Sequence, residues 1–147
     1  MNNETKDSSM SGEGFLQVFA YTGGVVPVED AAVRISANSE EKGGSGETGV
    51  IYTLLTDRDG LTKTVGLPAP PKETAMNPDS EVRPFSTYNI EVKKDGFYPV
   101  NNVGVPIFDG ITSRQPVEMI PESEYTYLSP AYDEGIRINE TPTGDYL

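Results

Sequence analysis

Cysteine, histidine and tryptophan are all absent from the 147 residues. Without cysteine there are no disulfides, thiolate metal sites or thiol nucleophiles, and without histidine the usual general base and the commonest metal ligand are gone. Most zinc and triad-type hydrolase chemistry is thereby excluded. No cofactor is expected, and the chain reads as non-enzymatic. Positive charge is also scarce: 11 Lys and Arg stand against 23 Asp and Glu, for a net charge of −12. A phosphate backbone would be repelled, so nucleic acid is not an expected partner. No stretch approaches the roughly 20 apolar residues of a membrane span. The polar opening MNNETKDSSMSGEG lacks the apolar run of a signal peptide, and no membrane partner is expected.

What is present is a series of short β-type runs. A chain of this length holds one core of roughly 100 to 130 residues with tails. Residues 1–13 are polar and read as a disordered arm. In FLQVFAY, Leu16, Val18 and Ala20 alternate onto one face, and Ala31, Val33 and Ile35 do the same in the next run. Asn38 to Gly49 has four glycines and no apolar residue, and it reads as a loop. It lacks the Gly-Lys-Ser/Thr ending and following helix of a phosphate cradle. Val50–Thr56 and Leu61–Leu67 form a third and fourth strand around DRDG. A loop over 68–84 then contains five prolines (Pro68, Pro70, Pro71, Pro78 and Pro84).

Ser86–Lys93 alternates most clearly, with Tyr88, Ile90 and Val92 inward. Phe97–Val105 and Thr112–Ile120 follow, the latter with Val117 and Met119 buried. No helical period persists. The pattern predicts an all-β fold, a seven-stranded antiparallel β-sandwich over residues 14–121. Residues 122–147 read as an acidic tail with tyrosines at 125, 127, 132 and 146, although RIN after Gly135 permits a short added strand.

Acidic residues supply the only chemistry left in easy reach. Asp57-x-Asp59-Gly60 has the look of a cation loop, but the twelfth position from Asp57 is Pro68, so the helix-flanked calcium loop is excluded. Asp-Gly recurs at 95–96 and 109–110, each time between apolar runs, and a hairpin turn explains all three. A residual cation cluster of Asp57, Asp59 and Asp95 at one end of the sandwich is the candidate metal site. Glu91 and Glu118 fall on outward positions, and no carboxylate pair marks glycoside hydrolysis. Lys93 and Lys94 lie at a strand end, which argues against a lysine cross-link needing a buried neutral amine. Phe85, Phe97, Tyr98 and Phe108 form the candidate binding surface, an aromatic ledge for glycan or protein.

Pro27, Ala31-x-Val33-x-Ile35, Thr56-Asp57-x-Asp59-Gly60, and Tyr88-x-Ile90-x-Val92 with Gly96-Phe97 occur in the order found in carboxypeptidase regulatory-like, transthyretin-like sandwich domains, and the chain resembles them across most of residues 14–120. GFLQVFAYTGGVVPVEDAAVRIS, RPFSTYNIEVKKDGFYPV and FDGITSRQPVEMIP also look like the N-terminal module of clostridial spore cortex-lytic enzymes and related peptidoglycan-binding proteins of Firmicutes. That resemblance implies an accessory module of a spore or cell-envelope system with a protein or peptidoglycan partner. Lytic activity is not carried over, because the residues that match are those of the accessory module alone. Two other expectations are an inhibitory or folding-aid pro-region for a separate hydrolase, and a surface adhesin or carbohydrate-binding sandwich.

Overall fold

A computed structural model describes residues 11–38, 49–75, 83–122 and 135–142. The expected N-terminal arm up to residue 10, most of the glycine-rich loop, and the four tail tyrosines lie outside them. The strands are β1 (Gly12–Thr22), β2 (Val26–Pro27), β3 (Ala32–Ala37), β4 (Val50–Leu55), β5 (Val65–Ala69), β6 (Ser86–Lys93), β7 (Val100–Ile107), β8 (Thr112–Glu118) and β9 (Ile136–Asn139). A single helical turn, α1 (Lys72–Ala75), follows β5.

The fold is an all-β sandwich of two sheets. In the first sheet β1 is the centre. It pairs antiparallel with β5 through its first half and with β2 at its end, and parallel with β8 along Phe15–Tyr21. The second sheet runs β4-β3-β6-β7-β9. Leu16, Val18, Ala20, Leu67, Val117 and Met119 meet Val33, Ile35, Ile90, Val92, Val100 and Ile107 between the sheets, all essentially without solvent contact. The inward positions expected for β1, β3 and β6 are therefore the core.

Three details differ from the sequence expectation. First, two pairings are parallel, β1 with β8 and β7 with β9. Each joins strands separated by a long excursion of chain, and such excursions let a strand return in either direction. Second, β4 and β5 belong to different sheets, so DRDG is a sheet-to-sheet crossing and not a hairpin turn. The fourth strand accordingly begins at Val65, and Leu61 makes only an isolated bridge to Phe19.

Third, part of the acidic C-terminal stretch belongs to the sandwich. β9 docks on β7, with Ile136 N–H donating to Pro99 O (2.8 Å) and Glu140 N–H to Val103 O (2.7 Å). The buried Asn102 amide donates to Glu140 Oε2 at 2.6 Å, which anchors the end of that strand. Gly104 makes the approach feasible. Its φ is 79°, and a Cβ there would lie 1.8 Å from Thr141 Oγ1.

Tyr88 ties the two layers together, its hydroxyl donating to the Pro68 carbonyl. Burial pushes its phenol up to about 12, against the opposing pull of a hydrogen bond with Ser86. Because the folded value lies above the free value of 10.0, the neutral phenol's contribution is complete below about pH 10 and is lost as pH rises toward 12. Tyr88→Phe should cost about 1 kcal/mol at neutral pH, one buried hydrogen bond. In pH-dependent melting, the gap between variant and parent should then close above about pH 10; a gap constant to pH 12 would contradict the assignment. Val92→Asp should prevent folding, because an unpaired carboxylate among Val33, Ile90 and Val100 costs several kcal/mol. An unchanged circular-dichroism melting curve would show that Val92 does not face the core.

Candidate binding surface

The first candidate site, the aspartates, resolves into turn chemistry. Asp57 Oδ1 accepts the backbone N–H of Asp59 (2.8 Å) and of Leu61 (3.0 Å), and Gly60 N–H donates to Asp57 O (2.8 Å). Gly60 has φ 79°, and a Cβ there would sit 2.4 Å from Ala20 O, so only glycine closes this loop against β1. Leu55, Ala32 and Lys93 are in register across β4, β3 and β6. The strand ends that lead to Asp57 and Asp95 thus lie at the same end of the sheet, two strand spacings apart, about 10 Å. Asp95 lines an open cleft of about 710 Å³ at the β6–β7 turn, together with Asp30, Lys93, Lys94, Phe97 and Glu122. Among the described residues no group of three or more acidic side chains gathers closely enough to hold a metal ion.

Asp109 is also structural. Its carboxylate accepts Lys72 N–H (2.8 Å) and Glu13 N–H (3.1 Å), and these two bonds, with the nearby Lys72 charge, hold it below the usual carboxylate range. It fastens the start of α1 and the start of β1 to the β7–β8 turn.

The second candidate, the ledge of Phe85, Phe97, Tyr98 and Phe108, is not assembled. Ser86 pairs with Ile107 at one end of the β6–β7 hairpin, and Val92 pairs with Val100 at the other. Phe85 and Phe108, which flank the first end, pack edge to face at 5.5 Å, and the Arg83 guanidinium lies over the Phe85 ring. Phe97 and Tyr98 sit in the turn at the second end, where Tyr98 N–H donates to Ile120 O (3.0 Å). Phe85 and Tyr98 are buried, and Phe97 packs against the core. An antiparallel hairpin necessarily separates residues flanking its open end from those in its turn.

A different aromatic row faces outward. Since Leu16, Val18 and Ala20 point into the core, Phe15, Gln17, Phe19 and Tyr21 occupy the outer face of the central strand β1, and all four are half-buried. Phe19 and Tyr21 stack with centroids 5.2 Å apart and planes 19° from parallel. Between Phe15 and Phe19, Gln17 is held at both ends of its amide. It donates to Thr62 O (3.0 Å) and accepts from Arg114 Nε (3.3 Å). The rest of the Arg114 guanidinium is exposed to solvent. The alternation that assigns the inward face of FLQVFAY also gives these outward residues. The signal was present, but an aromatic on a strand is more often read as packing.

No family model matches the chain, nor does any curated protein. Solved structures similar to it include the Bacillus anthracis TIE protein, at 12% identity and TM-score 0.47. GBS52, the minor pilin of Streptococcus agalactiae, is similar at 14% identity and TM-score 0.47. A 3-chlorocatechol 1,2-dioxygenase from Rhodococcus opacus is similar at 8% identity and TM-score 0.47. The matches cover 75%, 75% and 79% of this chain but only 17%, 45% and 63% of the respective neighbours. Likeness at these identities is one of β-sandwich fold alone.

The turn assignment of Asp57 is directly testable. Asp57→Ala should lower Tm by a few degrees, on the order of 1 kcal/mol for two unsatisfied backbone N–H groups. Millimolar calcium should leave the parent Tm unchanged, and a calcium-dependent rise abolished by Asp57→Asn would restore the cation site.

Proposed function

We propose that the chain is a non-enzymatic interaction module of a spore or cell-envelope system, of the carboxypeptidase regulatory-like kind, which contacts the glycan of peptidoglycan through the outer face of its first sheet. The supporting observation is the row of Phe15, Phe19 and Tyr21 around the fixed Gln17–Arg114 pair. Aromatic faces stack on the C–H faces of sugar rings, and successive outward positions on a strand lie about 6.8 Å apart, a spacing on the scale of neighbouring sugars. Arg114 stands where its guanidinium would pair with the carboxylates that peptidoglycan carries. Surface contact suits a composition without histidine or cysteine, in which no acidic cluster forms among the described residues.

The chain's own net charge of −12 opposes approach to an anionic wall. Binding should therefore strengthen with moderate salt, until screening of the Arg114 contact offsets the gain. In co-sedimentation with purified peptidoglycan, the double variant Phe19→Ala, Tyr21→Ala should bind about tenfold more weakly, a loss of about 1.4 kcal/mol. Its Tm should change little, because these rings lie outside the inter-sheet core. A parent protein that stays in the supernatant, or a double variant that binds as well as the parent, would overturn the proposal.

A further inference from the structure

We propose that β4 is a pairing edge through which two copies of this chain join, antiparallel, into one continuous sheet. Sheet edges expose unpaired backbone groups, and proteins ordinarily blunt them with charge or proline. The other peripheral strands here follow that rule. β9 carries Arg137, β8 carries Arg114, Pro116 and Glu118, β5 carries Pro68 and β2 carries Pro27. β4, VIYTLL, has neither charge nor proline, and Leu55, Ile51 and Val50 are 63%, 44% and 40% exposed.

The backbone shows which groups are open. Thr56 bonds toward β3, its N–H donating to Ala31 O (3.1 Å) and its carbonyl accepting Asp30 N–H (3.0 Å). By the alternation of an antiparallel ladder, Leu54 also bonds toward β3, so Thr53 and Leu55 turn their N–H and C=O to the other side. Among the described residues β4 pairs with β3 alone. An open row of this kind accepts an extended strand.

Charge and symmetry point to a second copy as that strand. At a net charge of −12 most of the surface repels another copy, whereas Val50 to Thr56 is uncharged and brings no like charges together. A two-fold axis through Thr53 sets Ile51 opposite Leu55 on the outer face and Tyr52 opposite Leu54 on the inner face, so apolar meets apolar on both sides. Pairing one short strand buries little surface, so the dimer is reversible and forms only at high concentration.

Sedimentation velocity over a concentration series, with amide exchange followed by NMR, tests this. The parent should pass from monomer to dimer toward millimolar concentration, and at lower concentration when salt is added. The Thr53 and Leu55 amides should exchange about tenfold more slowly in the dimer, as a newly bonded pair requires. Leu55→Glu, at an exposed position, should leave Tm unchanged and keep the protein monomeric. Thr53→Pro, which removes an edge N–H, should do the same and guards against an unrelated effect of the first variant. The proposal fails if the parent is monomeric throughout or if the dimer survives Leu55→Glu. It also fails if those two amides are already fully protected in the dilute monomer, since the edge would then be covered by the chain itself.

Discussion

The arrangement depends on one crossing. Between Leu55 and Val65 the chain leaves the second sheet and enters the first without a helix to satisfy its backbone, so side chains and turn geometry must do that work. Two buried threonines supply much of it. Thr56 Oγ1 accepts Ala31 N–H (2.9 Å) and donates to Val28 O (2.7 Å), while Thr62 Oγ1 accepts Val18 N–H (3.0 Å) and donates to Lys63 O (2.9 Å). The first hydroxyl fastens the crossing to the entry of β3, and the second fastens it to the middle of β1. Asp57 and Gly60 shape the turn between them.

With that crossing fixed, the rest of the geometry follows. β5 falls beside β1 and covers its first half, β8 lies along the other pairing, and β1 becomes the centre of a sheet whose outer face carries Phe15, Phe19 and Tyr21. The same crossing leaves β4 at the edge of the other sheet, with β3 its only neighbour among the described residues. The two surfaces that draw attention, an aromatic row and an unblunted edge, are thus consequences of a single change of sheet. They also lie on different sheets, so a glycan contact and an edge pairing need not compete for the same residues.

The aspartate and aromatic motifs show how far local patterns reach. Asp57-x-Asp59-Gly60 correctly announces a turn, because the hydrogen bonds of Asp57 run only two and four residues along the chain. Whether that turn closes a hairpin or crosses between layers depends on where β5 finds a partner, and that contact joins residues 51 apart in sequence, Phe15 and Gly66. Phe85, Phe97, Tyr98 and Phe108 looked like one ledge because they cluster along the chain. The β6–β7 hairpin places them in two groups at opposite ends, with Phe85 and Tyr98 inside. In the acidic C-terminal stretch the alternation of RIN permitted a short strand, but that Ile136–Asn139 pairs with β7 was not legible, since the docking rests on Gly104 and Asn102 in a distant strand.

Period-two alternation determined the all-β class and the inward faces of β1, β3 and β6, because a strand's side chains alternate whatever lies beside it. Composition alone removed thiol and imidazole chemistry. Tertiary structure decided which strands share a sheet, which pairings are parallel, which aromatics reach solvent, and which edge stays open. Those outcomes depend on contacts between residues far apart in sequence, where a strand's own pattern is equally satisfied by several neighbours.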